Sequence, residues 1–196
     1  MRHNVVIEGK GIRLRPADYA DSEFIVKLRT SPHVVGTVGD TSPSIDKQNL
    51  WFDTYFLRNN DYYFIVETHD GRRIGTYGVY DIKDQSGELG RIVFLPDTSQ
   101  FVIEAVVLIV DWCFSQLGLT ELRGTTITTN RTVLSLNKRL GFKTVFVQKD
   151  ALRIGGQSVD LAHTRLNNAE WLNVRKKLLP LFVLLRQSGV FKVGVS

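Results

Sequence analysis

Three strand-like runs separated by short turns constrain the fold of this chain more than any other feature of its sequence. YYFIVET begins at Tyr62, IGTYGVYDI at Ile74 and GELGRIVFL at Gly87, and the connections between them read HDGRR and KDQS. The runs are rich in β-branched and aromatic residues, which favour strands, and the connections contain Asp, Gly and Ser, which favour tight turns. Strands joined so closely pair in opposite directions, so the pattern predicts an antiparallel meander.

A strand and two helices precede the meander. GIRLRP alternates apolar and basic residues as a short strand does, and Asp18 is placed to cap the helix YADSEFIVKLRTS. A second helix, DKQNLWFDTYFLRN, is predicted to begin at Ser44 or Asp46, with Leu50 and Trp51 in its apolar stripe. The loop between the helices is marked by Gly, Pro and Ser.

Helices and strands alternate after the meander. We predict helices near 99–117 and 131–140, each followed by a strand, then a last strand and a terminal helix from about Asn168. This order indicates an α+β fold with a mixed, mostly antiparallel twisted sheet flanked by helices, antiparallel first and more parallel later. We expect one domain over residues 1–196, with 168–196 as a C-terminal helical extension.

Composition narrows the classes of function. The chain has 196 residues, is 43% hydrophobic and carries a formal net charge of +5 with scattered Lys and Arg, which favours an anionic small molecule over nucleic acid. Its single cysteine, Cys113, suits a reducing compartment, and the four histidines lack metal-ligand spacing, so we expect no metal. No apolar run approaches the ~20 residues of a membrane helix. We therefore expect a cytoplasmic protein without a membrane or nucleic-acid partner.

The stretch TTNRTVLSLNKRLGFKTV is the most informative single motif. Asn130 stands between a strand and a helical stripe, which is the position of an N-cap. Gly141 fits the left-handed position that ends a helix, and Phe142 returns the chain to a strand. Local physics requires no more than a well-delimited helix here.

The order of these motifs adds a family resemblance. Asn130, ten residues and then Gly141–Phe142 follow an apolar helix with Glu104–Ala105 near its start, and the chain opens with IRLRPADYADSEFIVKLR. With the strands RRIGTYGVYDI and GELGRIVFLP, this order resembles the GNAT superfamily of acyl-CoA N-acyltransferases over about residues 10–166. The resemblance implies a GNAT fold, acetyl-CoA as co-substrate and acetyl transfer to a primary amine.

The turn before the apolar helix departs from that family. Relatives carry Arg/Gln-x-x-Gly-x-Gly/Ala around the pyrophosphate of acetyl-CoA, whereas Gln100 and Val102 stand here at the last two key positions. In one interpretation the helix N–H groups still bind the pyrophosphate, more weakly, because such donors do not depend on side chains. In the other, Asp97 or Thr98 caps the helix, Asp97 repels phosphate, and Gln100 and Phe101 fill the groove.

We favour weakened or repositioned coenzyme binding over a filled groove, which would leave a regulatory or binding module without catalysis. The resemblance implies that backbone groups beside the separating strands hold the thioester arm, and that the helix starts hold the rest of the coenzyme. The implied cofactor-binding residues are Val93, Phe94, Leu95, Ser99, Gln100, Phe101 and Asn130.

Two residues receive catalytic roles from the resemblance. Glu88 in GELG matches a glutamate that many relatives use as general base, often through water, although a solvent-facing strand residue would look the same. Asn137 stands where many relatives have a thiolate-protonating tyrosine. An amide donates a hydrogen bond but is no proton source near neutral pH, so either water supplies the proton or Asn137 only stabilises the thiolate.

The acceptor is predicted less sharply. The Trp51 helix and the strands around Tyr80 and Arg91 are similar to members that acetylate nucleotide-linked amino sugars, and members that acetylate protein α-amines share much of that layout. We expect Arg29, Trp51, Tyr80 and Arg91 to bind substrate, with the arginines pairing either a substrate phosphate or a structural carboxylate. The terminal LLPLFVLLRQ is expected to cover the sheet or to form a homodimer contact.

Overall fold

The computed structural model describes residues 2–187, and within residues 179–187 it describes the backbone alone. Two short 3-10 turns, Tyr19–Asp21 and Pro96–Thr98, precede α1 and α3. The remaining elements are, in chain order, β1 Ile7–Glu8, β2 Ile12–Pro16, α1 Ser22–Arg29, α2 Ile45–Tyr55, β3 Tyr62–Thr68, β4 Arg73–Lys83, β5 Ser86–Phe94, α3 Ser99–Ser115, β6 Glu121–Ile127, α4 Arg131–Arg139, β7 Lys143–Ile154, β8 Gln157–Asn167 and α5 Asn168–Gln187.

The strands form one mixed sheet in the order β1-β2-β3-β4-β5-β6-β8-β7, and β3, β4 and β5 are the predicted antiparallel meander. The α+β class with a mostly antiparallel sheet is confirmed. The expected shift towards parallel pairing is wrong, because β5 and β6 form the one parallel pair among the described strands. Strand β8 returns from β7 through a tight turn and inserts beside β6, and both of its pairings are antiparallel.

Helices cover both faces of the sheet. On one face α3 and α5 bury a cluster that includes Phe64, Ile109 and Trp171. On the other face α1 and α2 enclose a second cluster around Phe52, which α2 directs at the sheet. The predicted apolar stripe of α2 was partly wrong, since Leu50 is 63% exposed. Two residues advance a helix by about 200°, so Leu50 and Phe52 lie on opposite sides of it.

The caps explain where the helices begin. Asp18 accepts a hydrogen bond from the Ala20 N–H, and the Asp21 carboxylate accepts one from the Asp18 N–H, which makes a capping box. Ser44 accepts from the Lys47 N–H at the start of α2. The predicted start at Ser44 is therefore confirmed, whereas Asp18 caps the 3-10 turn that leads into α1, and α1 itself begins at Ser22 without a side-chain cap.

Helix α3 is the most apolar of the long helices and packs in the core. Helix α3 with its preceding turn, Pro96–Ser115, is long and apolar enough by length and composition to span a membrane, with mean hydropathy 1.4. Its buried side chains pack against the sheet, as a core helix requires.

Polar contacts join α3 to α5. Asp111 on α3 accepts hydrogen bonds from Trp171 Nε1 at 2.7 Å and from Arg175 Nε at 2.7 and 2.9 Å. Helix α5 begins at Asn168 as predicted. The first residue of LLPLFVLLRQ, Leu178, packs against the core cluster, and the side chains of the rest of that segment lie outside the described residues.

Candidate functional site

A cleft of about 580 Å³ opens where β5 and β6 separate. The two strands pair in parallel from Ser86 to Leu89 and from Glu121 to Gly124, and no pairing follows beyond those residues although both strands continue. Helices α3 and α4 contribute Val102, Val106, Asn130 and Asn137 among other residues to its walls. The separation of β5 from β6 that the family resemblance implies is therefore present.

A β-bulge in β5 lies at the mouth of this cleft. On β4, Thr76 and Gly78 pair with Val93 and Gly90, so two residues of β5 stand opposite one of β4. Arg91 takes the extra place with φ +54°, a left-handed conformation that is uncommon outside glycine. The Thr76 hydroxyl donates to the Arg91 carbonyl at 2.7 Å, which satisfies a group that the bulge removes from the ladder.

The bulge decides which backbone groups of β5 face the cleft. The Leu95 N–H donates to the Ile74 carbonyl at 2.9 Å, so the prediction of a free donor at Leu95 is wrong. Hydrogen-bonding direction alternates along an antiparallel strand, so Val93 also points to β4 and Phe94 points away from it. Phe94 thus supplies the cleft-facing N–H among these three positions, and Val93 contributes a side chain to the wall.

The glycine-free turn leaves the start of α3 without a side-chain cap. Thr98 occupies the N-cap position, yet its hydroxyl donates to the Leu95 carbonyl at 2.6 Å and no side chain caps the helix there. Asp97 forms an exposed ion pair with Arg72. The hydrogen bond and charge of Arg72 lower the pKa of Asp97, so this carboxylate stays ionised but compensated. The interpretation in which Thr98 caps the helix is therefore wrong.

The side chains of the turn lie outside the lining of the cleft. Ser99 and Gln100 are exposed, and the Phe101 ring packs beside Gly11, where an added Cβ would lie 2.9 Å from a ring carbon. Glu104, one turn later, accepts hydrogen bonds from the N–H groups of Lys10 and Gly11 and ties this helix start to the β1–β2 turn. The described cleft reaches Phe94 and Val102, and Ser99, Gln100 and Phe101 are not among its lining residues.

Glu88 stands at the point where β5 and β6 separate. Its neighbour Leu89 faces the core under α3, so alternation along the strand directs Glu88 to the α1–α2 side. Glu88 Oε1 accepts a hydrogen bond of 2.8 Å from the hydroxyl of Thr125, and Tyr80 lies directly opposite on β4. Burial raises the pKa of the Tyr80 phenol, and the Glu88 charge raises it further. The carboxylate thus lies in the cleft wall beside a neutral phenol.

Two predicted amides line the cleft from α4. Asn130 caps the helix by accepting from the Val133 N–H at 3.2 Å, and the helix ends through the bond from the Phe142 N–H to the Asn137 carbonyl at 2.9 Å. Both Asn130 and Asn137 border the cleft. The capping oxygen of Asn130 is engaged by the helix, which leaves its amide NH₂ as the donor for a ligand.

Arg91 is held inside a cage of aromatic rings. Its guanidinium makes two hydrogen bonds to the buried Asp61, with Nη2 to Oδ2 at 2.9 Å. The guanidinium carbon lies 4.3 Å from the Tyr80 ring centre and 5.2 and 5.4 Å from those of Trp51 and Tyr63. Burial alone would lower the Arg91 pKa, but the hydrogen bonds and charge of Asp61 outweigh it and the pKa is raised. Of the two predicted pairings, Arg91 makes the one with a structural carboxylate.

A second cavity, of about 310 Å³, lies between α1, α2 and the sheet. Arg29 and Arg91 border both this cavity and the cleft, so the two spaces adjoin. The Arg29 Nε donates to the Thr41 hydroxyl at 3.0 Å. The smaller cavity is lined by Arg29, Asp40, Thr41, Ser42, Lys47, Gln48, Trp51, Tyr63 and Arg91. We call it the acceptor cavity and the larger space the β5–β6 cleft.

Several residues of these two spaces could not be found from the sequence. Asp61 and Thr125 act only through partners that are distant along the chain, and Lys47 resembles any exposed helix lysine. A strand-edge threonine and a carboxylate before a strand carry no distinguishing pattern. Among residues 2–187, no group of three or more His, Cys, Asp or Glu side chains is arranged to hold a metal.

Comparison with known proteins decides the family. A family model described as an acetyltransferase (GNAT) domain matches residues 12–143, which is about two thirds of the chain. The chain belongs to the GNAT acetyltransferase family. The enzyme class predicted from the sequence, an acetyl-CoA-dependent N-acetyltransferase, is the class of this family, and its members use acetyl-CoA as co-substrate. No curated protein matches the sequence.

Solved structures agree on the fold. A GCN5-related N-acetyltransferase from Brucella melitensis is similar with a TM-score of 0.76 and 18% identity, covering 89% of this chain and 83% of that one. Mutant forms of the spermidine/spermine N-acetyltransferase SpeG from Vibrio cholerae give 0.72 and 19%, covering 83% and 97%. A probable GNAT acetyltransferase from Chromobacterium violaceum ATCC 12472 gives 0.74 and 18%, covering 87% and 95%. These TM-scores establish the fold, and the low sequence identities leave the identity of the acceptor open.

Proposed function

We propose that this GNAT protein transfers acetyl from acetyl-CoA to the primary amine of an anionic small molecule, with a nucleotide-linked amino sugar as the leading acceptor. The observation that carries the proposal is the charge of the acceptor cavity, whose cations outnumber its one carboxylate. We further propose that the reaction takes place in the cytoplasm, because the single cysteine suits a reducing compartment.

The cavity favours anions over polyamines. Arg29 and Lys47 have no carboxylate partner among the described residues, while Arg91 is neutralised by Asp61. Asp40 is the single acidic lining residue. A polyamine carries several positive charges and would need several carboxylates, whereas phosphate oxygens match guanidinium and ammonium donors. The charge balance therefore supports an anionic acceptor over a polyamine.

The proposed chemistry follows from which groups border the acceptor cavity and the β5–β6 cleft. Glu88 lies on the α1–α2 side of the sheet, as the acceptor cavity does, and it borders the β5–β6 cleft. We assign Glu88 to take the proton of the attacking amine, directly or through water. The cleft-facing Phe94 N–H is assigned to hold the pantetheine arm of the coenzyme further along β5, and Asn137 is assigned to donate a hydrogen bond to the leaving sulfur. The proton that the thiolate requires then comes from water, since an amide cannot supply it.

Coenzyme binding is assigned to backbone donors. The uncapped start of α3 offers N–H groups that side chains leave unsatisfied, and Gln100 and Phe101 are not among the residues that line the cleft. Asn130 and Asn137 would contact the coenzyme from α4. A weakened but functional coenzyme site fits these observations better than a filled one.

The test measures release of CoA thiol from acetyl-CoA with three acceptors. We expect turnover with a nucleotide-linked amino sugar and none with spermidine. Turnover with short peptides alone would instead identify a protein α-amine acetyltransferase. Binding of CoA without turnover on any of the three would identify a regulatory module and refute the proposal.

A matched pair of variants ties the acceptor to the cavity. Lys47→Gln should raise the KM for the anionic acceptor about tenfold and leave the KM for acetyl-CoA unchanged, because Lys47 borders only the acceptor cavity. Lys27→Gln removes the same charge from the exposed side of α1, where Lys27 pairs with Glu23. An equal increase in the KM for the acceptor in both variants would mean that acceptor binding depends only on the net charge of the protein.

A further inference from the structure

The separation of β5 and β6 leaves the Glu88 carboxylate at the edge of a gap. The last paired residues are Leu89 on β5 and Gly124 on β6, and Glu88 precedes that point by one residue. A glutamate side chain has three rotatable bonds, so its carboxylate visits several positions unless a contact fixes it. A general base must lie within hydrogen-bond reach of the proton that it abstracts, so the contact that fixes it matters for the reaction.

Thr125 supplies such a contact. It is the first residue of β6 beyond the paired segment, and its hydroxyl donates to Glu88 Oε1 at 2.8 Å. This is the one side-chain hydrogen bond to Glu88 within residues 2–187. Two residues after Arg123, Thr125 lies on the same face of β6 as Arg123, which pairs with Glu88 across the strands.

The other polar side chains around Glu88 donate no hydrogen bond to its carboxylate within residues 2–187. Arg123, the cation opposite Glu88 on β6, donates its Nη2 to the Asp81 carbonyl at 3.0 Å, and its buried Nε has no hydrogen-bond partner among the described residues. Arg91 on the same strand is bound to Asp61. Tyr80 on β4 has its ring against Gly90, where an added Cβ would meet the phenol oxygen at 2.1 Å. The carboxylate therefore relies on a neutral hydroxyl, which orients it without removing its charge.

Thr125 is itself fixed. On its far side β6 pairs with β8, with Thr125 opposite His163, so the backbone of Thr125 stays in the ladder while the cleft opens on its near side. A β-branched side chain has few rotamers in a strand, so its hydroxyl is held with little further loss of freedom. A serine at this position keeps the donor but loses part of that restriction.

We propose that Thr125 is a positioning residue for the general base: its hydroxyl occupies one carboxylate oxygen of Glu88 and leaves the other to accept the proton of the amine. The inference rests on the proposed function, which makes Glu88 the base. Thr125 itself touches neither the acceptor nor the thioester in this assignment, so its effect must pass through Glu88.

The test is a double-mutant cycle measured as kcat/KM for the acceptor. Thr125→Val should lower kcat/KM about tenfold or more, the scale for a hydrogen bond to a charged group, and Thr125→Ser should stay within about threefold of the parent. In the Glu88→Gln background, Thr125→Val should change kcat/KM less than about twofold, because the two residues act as one unit.

Thr164→Val is the control. Thr164 is a buried threonine of the adjacent strand β8 whose hydroxyl donates at 3.0 Å to the Gly124 carbonyl and not to a carboxylate. Its effect should be the same whether residue 88 is Glu or Gln. Full activity of Thr125→Val, or an equal loss in both backgrounds, would overturn the positioning role.

A second readout separates this inference from the proposed function. The ¹³C chemical shift of the Glu88 carboxylate in labelled protein reports its hydrogen bonding without any turnover. We expect Thr125→Val to move that signal and Thr125→Ser to restore it. If no acceptor is acetylated, the proposed function fails while the contact stands on this signal. An unmoved signal in Thr125→Val overturns the contact itself.

Discussion

The two spaces that meet at Arg91 are built by different means. The acceptor cavity is made by side chains whose positions are fixed by charge pairs and ring contacts, with Arg91 between Asp61 and the rings of Trp51 and Tyr80. The β5–β6 cleft is made by the backbone, through a strand separation, a bulge and the uncapped start of α3. One space depends on residue identity and the other on chain geometry.

That difference underlies our proposal that the chain keeps a coenzyme site without the family glycines. Backbone N–H groups at a helix start are present whatever side chains surround them. Gln100 in place of a glycine therefore reduces the room for the pyrophosphate but does not remove hydrogen-bond donors. We expect no such tolerance in the acceptor cavity, since its proposed selectivity rests on individual charged side chains. The predictions below test this contrast, from the largest expected effect to the smallest.

Removing Asp61 should have the largest effect because it leaves the Arg91 guanidinium buried without its partner. We expect Asp61→Ala to lower the free energy of unfolding by about 3–5 kcal/mol, measured by urea denaturation. Glu23→Ala removes a carboxylate that, like its partner Lys27, is exposed, and it should not shift the urea midpoint measurably. Equal shifts in the two variants would mean that the acceptor cavity is no more dependent on its side chains than the surface is.

Replacing the proposed base tests the chemistry at the junction of the two spaces. Glu88→Gln should lower kcat/KM by about 10²-fold or more, because the amide cannot accept the proton of the amine. Calorimetric affinity for CoA should hardly change, since the coenzyme site is assigned to backbone groups. The matched control is Glu121→Gln, which replaces a glutamate at the start of β6 and should leave kcat/KM nearly unchanged. Near-normal turnover of Glu88→Gln would return Glu88 to an ordinary strand residue.

Gly90→Ala tests whether the acceptor side requires its side-chain packing. The added methyl group would lie 2.1 Å from the phenol oxygen of Tyr80, so the ring must move from Arg91. Overpacking of this kind costs about 1–3 kcal/mol of stability, measurable by thermal unfolding. The cost should be smaller in the Tyr80→Phe background, which removes the nearest atom. A loss that Tyr80→Phe leaves unchanged would place the strain elsewhere in the sheet.

The coenzyme turn should respond least. Gln100→Gly and Asp97→Asn are expected to tighten acetyl-CoA binding only about two- to fivefold in calorimetric titration, the scale of charge effects at a helix start. Asp97 is already compensated by Arg72, so its removal chiefly frees that guanidinium. Absence of binding at millimolar ligand in the parent and both variants would show that the turn is closed, and the enzyme proposal would fall with it.

The parts of the molecule that the sequence predicted are those specified by nearby residues. Asp18, Ser44 and Asn130 cap helices where their patterns indicated, because a cap bonds to an N–H two or three residues away. The meander followed from short turns. By contrast, the placement of β8 beside β6 depends on pairings between distant segments, which no local pattern encodes.

The site divides in the same way. Asn130 and Asn137 were assigned roles from the family order and border the cleft, whereas Ser99, Gln100 and Phe101, assigned in the same way, do not. The partners that give the site its chemistry lie far along the chain, as with Asp61 beside Arg91 and Thr125 beside Glu88. Even the error at Leu95 has this origin, because its N–H is taken by Ile74 on another strand.

The position of Arg91 in the wall between the two spaces has a thermodynamic consequence. A ligand in either space lies against the same guanidinium, so displacement of that group by one ligand alters the surface met by the other. Binding linkage then requires the factor by which acetyl-CoA changes acceptor affinity to equal the factor by which the acceptor changes acetyl-CoA affinity. An arginine locked by Asp61 and its ring neighbours keeps that factor near one, so the two substrates would load in either order.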